Sequence, residues 1–247
     1  MNTEVPPAEA EKSMAHTSFS MEVFITGGTG FVGCHLANKI AEEHEVTVGG
    51  RDTETLLEVD DSVDKTRIDV TEMESLDFSG FDTVIHLVAL SPLRKPKIPY
   101  RTIHVDGTDN VVNQCEEDDV EKLLYVSALG ASEQAETEYL RTKAEAEEIV
   151  RNSGLEHVIF RPSVLFGEGG HFLDFIRSIT TPGATLLPGS DTVFQPLHVE
   201  DLADMMEYSL TRSFDNPEFD LGGPEKLRLG QIVSMVRDSA VLNMPMP

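Results

Sequence analysis

The chain has 247 residues, 40% of them hydrophobic, enough for one large domain or a domain with a small lobe. Its 44 acidic against 19 basic residues give a formal charge of −25, which argues against nucleic acid as a partner and against docking on an anionic membrane. No apolar run reaches bilayer length, so no direct membrane insertion is expected, and two cysteines with no Cys/His cluster give neither a disulfide framework nor a structural metal site.

Residues 1–20 lack the basic start and apolar centre of a signal peptide and read as a disordered polar tail, with Met21 as an alternative start. EVFIT is a short apolar strand. The helix after it carries Val32, Leu36 and Ile40 at a spacing of four. EVTVGG is the second strand and a short third lies around Ile68. DTVIHLVAL is a continuous apolar run, as expected of a strand covered on both faces. Helix HVDGTDNVVNQCEE, strand EKLLYVSAL, helix EYLRTKAEAEEIVRNSG with Gly154 as its stop, and strand EHVIFRP ending at Pro162 complete the series. Such alternation predicts an α/β fold, a doubly wound parallel (Rossmann) sheet over residues 21–162. Residues 163–247 read as a small C-terminal substrate lobe over the sheet's carboxyl edge. It comprises the helix of GEGGHFLDFIRSI, short strands in TLLPG and TVFQPLH, a helix striped with Leu202, Met205, Met206 and Leu210, the strand EFDLGG and a last helix. The acidic runs at 58–64 and 116–119 read as a solvated coat suited to a salt-rich cytoplasm. Cys34 and Cys115, both in helical patterns, read as buried free thiols.

A strand, then GGTGFVG, then a helix is the context in which glycine spacing means a dinucleotide site. Gly27 permits the tight turn, Gly30 lets backbone approach a pyrophosphate, and Gly33 lets the helix pack on the strand. The helix N-terminus then offers its unpaired amides and positive dipole end to phosphate. At the end of the second strand Gly50 stands where an acid would bind the ribose 2′-hydroxyl of NAD, and Arg51 follows. A guanidinium there pairs with a 2′-phosphate, which predicts NADP in preference to NAD, with Asp52 leaving dual use open. Asp69 is placed to reach the adenine amino group.

Tyr139 and Lys143 share a helix face at i, i+4, and a neighbouring lysine favours the phenolate. Tyr139 is therefore the candidate proton donor or acceptor toward a carbonyl or alcohol, with Lys143 also placed to hold a ribose. Ser127, at the carboxyl end of its strand, is placed to orient the substrate oxygen. In the basic stretch SPLRKPKIPYR, Arg94, Lys95, Lys97 and Arg101 read either as a solvated loop or as a collector of phosphorylated substrate or a docking patch. His198 reads as packing near the lobe junction.

These stretches together (TGGTGFVG, HLVAL, YVSALGA, YLRTK, FRPSVLFG, FQPLHVEDLA and FDLGGPE) resemble the extended or atypical branch of the short-chain dehydrogenase/reductase superfamily, closest to the group related to an accessory subunit of respiratory complex I. The resemblance implies the catalytic trio Ser127, Tyr139 and Lys143. It extends the cofactor set to Gly27, Thr29, Gly30, Phe31, Val32, Gly33, Arg51, Asp69, Val70, Leu87, Val88, Ala89, Tyr139, Lys143 and Pro162. Many relatives carry asparagine of a proton relay where this chain has His104, which is either packing or functional. Relatives usually continue past VLNMPMP, so a shortened lobe is expected. Three activities remain open: hydride transfer with a small carbonyl, alcohol or quinone-like substrate; a non-catalytic nucleotide-holding partner of an NADH:quinone redox complex; and a nucleotide-sugar epimerase or dehydratase. Homodimerisation is the other partner expectation.

Overall fold

The computed structural model of the protein describes residues 20–93, 95–179 and 189–242. The expected polar tail, Arg94 and most of TLLPG lie outside the described residues. Strand β1 (Glu22–Thr26) leads into α1 (Phe31–Ile40), then β2 (Glu45–Gly50), β3 (Asp64–Arg67) and β4 (Thr83–His86). Helix α2 (Gly107–Glu117), β5 (Lys122–Val126), α3 (Glu138–Asn152) and β6 (Glu156–Pro162) follow. Next come β7 (Leu165–Phe166), α4 (His171–Ile179), β8 (Val193–Phe194), β9 (Leu197–His198), α5 (Val199–Leu210), β10 (Glu218–Leu221), β11 (Leu227–Arg228) and α6 (Leu229–Leu242).

Seven strands form one parallel sheet in the order β10-β6-β5-β4-β1-β2-β3. The chain starts at β1, winds outward to β3, then returns to β4 on β1's other side. The order of winding therefore reverses between β1 and β4, and a crevice opens there at the carboxyl ends. Alternation along the strands loads both faces, which is why they read as continuous apolar runs. Val23 and Ile25 of β1 face α1 and α5, packing with Leu36, Ile40, Leu202 and Met206. Phe24 between them faces the α2 and α3 side, with Val111, Val112, Ala146 and Val150. Both thiols are buried, Cys34 in the first cluster and Cys115 in the second. Strand β10, from the region after Pro162, completes the sheet beside β6. Another part of that region makes a separate small cluster around Phe172, Ile176, Leu229 and Ile232.

Two local expectations change. The helix expected from His104 begins instead with a π-helical turn at Thr102–Asp106 that buries His104 before α2 starts. Helix α3 stops at Asn152 without a left-handed glycine. Ser153 is an extended cap, and the Gly154 amide donates to the Glu116 carboxylate at 2.8 Å.

Candidate functional site

A cleft of about 960 Å³ opens at the carboxyl ends of the strands, where the winding reverses. Every cofactor residue expected from the sequence lines it except Lys143, and so does Ser127. At one end lies the glycine loop. Gly27 adopts φ +73°, the left-handed region that favours glycine, and its amide donates to the Gly49 carbonyl at 2.7 Å. A Cβ on Gly33 would lie 2.4 Å from the Gly28 Cα, so the first turn of α1 packs directly on the loop. A Cβ on Gly30 would meet only the Gly27 carbonyl, at 3.3 Å, which leaves this backbone open to the cleft. Helix α1 has no side-chain cap and no acid in its first turn, so its dipole end is left to an anion. These features fit a dinucleotide pyrophosphate.

Gly50 and exposed Arg51 line the same end. A Cβ at Gly50 would sit 2.4 Å from the Thr29 hydroxyl and 3.1 Å from the Asp52 carbonyl, so a side chain where an acid would otherwise stand would have to displace the Thr29 side chain. The Asp69 carboxylate accepts from the Thr71 amide at 3.0 Å and the Thr71 hydroxyl at 2.8 Å, which fixes it in its turn while it lines the cleft.

At the other end, Ser127 and Tyr139 share the wall. The Ser127 amide donates to the Phe160 carbonyl at 2.7 Å, while its buried hydroxyl has no partner. Tyr139 packs edge-on to His104 and Tyr100, with ring centroids 5.4 and 5.7 Å away. Burial, then the Tyr100 phenol, pushes the Tyr139 pKa up to about 12. The sequence expectation of a lysine-lowered phenol pKa is therefore reversed. Lys143 turns beneath the wall instead of lining the cleft. Its Nζ donates to the Val126 carbonyl at 2.7 Å and sits 4.4 Å from the Tyr125 ring centroid. Burial lowers its pKa to about 7, opposed by the Glu147 carboxylate.

His104 joins two walls. The Leu90 amide donates to its Nε2 at 3.0 Å, so the ring proton is on Nδ1 and points at the Thr142 hydroxyl, 2.9 Å away. Burial, then the Lys143 charge, holds its pKa at about 3, and the ring stays neutral. Of the basic stretch, Lys95 and Lys97 are exposed and Arg101 pairs with Glu145. His198 caps α5, its Nδ1 accepting from the Glu200 amide at 3.3 Å, and packs on Phe166. Sequence reading missed Leu90, Leu93, Leu140, Phe172 and Phe194 as cleft residues. Only the apolar run of the fourth strand, continuing past Ala89, signalled any of them.

A glycine-cradled helix N-terminus at the reversal of a parallel sheet, facing a serine and a tyrosine, defines a dinucleotide-binding α/β protein. The chain belongs to the NAD dependent epimerase/dehydratase family, whose pattern matches residues 23–222. It is 26% identical over 224 residues to the mitochondrial NADH-ubiquinone oxidoreductase 40 kDa subunit of Neurospora crassa, covering 86% of this chain and 58% of that protein. It is 25% identical over 238 residues to the mitochondrial NADH dehydrogenase (ubiquinone) 1 alpha subcomplex subunit 9 of Dictyostelium discoideum, covering 90% of this chain and 65% of that protein. The chain thus spans about three-fifths of the length of these relatives. Its fold is that of the Bordetella bronchiseptica enzyme WbmG in complex with NAD, with a TM-score of 0.76 at 20% identity over 92% of this chain and 80% of that one. No helix among the described residues is long and apolar enough to cross a membrane.

Proposed function

We propose that the protein is an NAD(P)-dependent oxidoreductase of the short-chain dehydrogenase/reductase type, reducing a carbonyl or oxidising the corresponding alcohol. The observation that carries this reading is the buried, unpartnered Ser127 hydroxyl on the same cleft wall as Tyr139. A buried hydroxyl without a partner costs about 1–3 kcal/mol, which a substrate oxygen bonded there would recover. Gly27, Gly30, Gly33 and the α1 amides hold the pyrophosphate, and Val70, Leu87, Val88, Ala89 and Pro162 line the groove between the two ends. When bound, the nicotinamide exchanges a hydride with the substrate carbon. Ser127 orients the substrate oxygen. In reduction the carbonyl π pair moves to that oxygen, which takes the Tyr139 proton. The phenol, its pKa raised by burial, is protonated at neutral pH, the form that donates to the substrate oxygen in reduction. Lys143 acts from below, through the Val126 carbonyl and its own charge.

Glycine at position 50 and the guanidinium of Arg51 support NADP as the preferred form, with NAD as the alternative. Tyr139→Phe should abolish nicotinamide turnover followed at 340 nm while nucleotide uptake by calorimetry stays within about twofold. Turnover that persists would remove Tyr139 from the chemistry.

A second reading is favoured by the match of 86–90% of the chain to the two mitochondrial subunits. In it the protein holds nucleotide without turning it over and docks on an NADH:quinone redox complex. Nucleotide retained through purification, no turnover, and co-fractionation with membrane redox complexes would select it.

A further inference from the structure

On the oxidoreductase reading just given, we propose that the far half of the cleft takes an uncharged ketone or secondary alcohol bearing an apolar chain or ring, and not a sugar nucleotide. Leu90, Leu93, Leu140, Val164, Phe172 and Phe194 converge there from five separate segments. Four of them are also part of the lobe's hydrophobic cluster: Phe172 lies at its core, with Leu93, Val164 and Phe194 packed against it. Phe172 and Phe194 sit 6.1 Å apart, centroid to centroid. The wall is thus a packed apolar surface, and an apolar ligand would complete its burial.

A second diphosphate needs converging amides or guanidinium groups. Among the described residues, the arginine and lysine side chains lining the cleft are Arg51, beside the glycine loop, and Lys226, exposed at the far rim. The Gln195 amide nitrogen already donates one of its two hydrogens to the Gly223 carbonyl at 2.6 Å. The chemistry favoured at this end is one oxygen held by Ser127 and Tyr139 and an apolar body against the leucines and phenylalanines.

The test uses the full chain loaded with NADPH, titrated calorimetrically and assayed at 340 nm with 2-alkanones from butanone to decanone and with UDP-glucose. Affinity should rise about fourfold per added methylene until the wall is covered, and UDP-glucose should not bind. Leu93→Asp should weaken the longest ketone at least about tenfold, with NADPH uptake unchanged. Chain-length-dependent binding without turnover would keep this substrate class and reject hydride transfer. Affinity flat with chain length, or UDP-glucose binding tighter than decanone, would overturn the substrate class, whether or not turnover is seen.

Discussion

Replacing Lys143 with methionine should change how stability depends on pH, in a direction the burial of Nζ dictates. In the folded protein Lys143 titrates at about 7, well below its ordinary value of 10.5, because burial disfavours the ammonium. Between those two values the unfolded chain binds more protons than the folded one, so the lysine's contribution makes wild-type stability rise with pH through this window. Below pH 7 both states are protonated and the contribution is flat. The slope approaches about 1.4 kcal/mol per pH unit, and from pH 7 to pH 10 the gain sums to about 3–4 kcal/mol. Methionine keeps the volume and has nothing to titrate. It strips the Val126 carbonyl of its donor, an offset of about 1–3 kcal/mol that does not vary with pH. Urea unfolding followed by circular dichroism at pH 6, 7, 8.5 and 10, with wild type and variant side by side, isolates the difference. The other titrating groups are common to both proteins and largely cancel. Wild type should gain about 3–4 kcal/mol over the variant between pH 7 and 10, in 1 M salt as well, since a buried group is weakly screened. A difference that stays flat would mean that Nζ is solvated or held as a stable ion pair, and the argument for a buried, readily neutralised lysine would fail.

Gly33→Ala would place a methyl 2.4 Å from backbone that cannot rotate away, so α1 must lift off the loop. Stability should fall by about 1–3 kcal/mol and nucleotide affinity by more than about tenfold; calorimetry showing unchanged affinity would dismiss the cradle. Arg51→Ala should weaken NADP about tenfold or more through the lost charge-assisted bonds and leave NAD nearly untouched. Equal losses for the two cofactors would refute the preference. The Glu147 carboxylate, 2% exposed, accepts from Arg161 at 2.6 and 2.8 Å and from Arg151 at 2.7 Å. Both guanidinium groups keep Glu218 as a partner, so Glu147→Gln should cost about 1–3 kcal/mol in chemical denaturation, through the weakened charge-assisted bonds at a buried carboxylate. A loss under about 1 kcal/mol would show that the network is solvated.

The sequence by itself determined the doubly wound parallel sheet, the glycine loop and the sheet edge that carries Ser127 and Tyr139. Each rests on a short-range rule. An apolar run bounded by turn residues makes a buried strand, a left-handed turn favours glycine at position 27, and parallel strands bring their carboxyl ends to one edge. Helical spacing likewise put Lys143 on the face of Tyr139. Tertiary structure alone decided what that proximity does. Lys143 lies beneath the wall with Nζ on the Val126 carbonyl, and the phenol is pushed up by burial where the pair taken alone predicts the opposite. It also decided what Gly50 packs against, since the Thr29 hydroxyl that a Cβ would displace comes from a different turn. The apolar half of the cleft was invisible for the same reason. Leu93, Leu140, Phe172 and Phe194 are far apart in the chain, and desolvation and shared burial depend on neighbours that only the fold assembles.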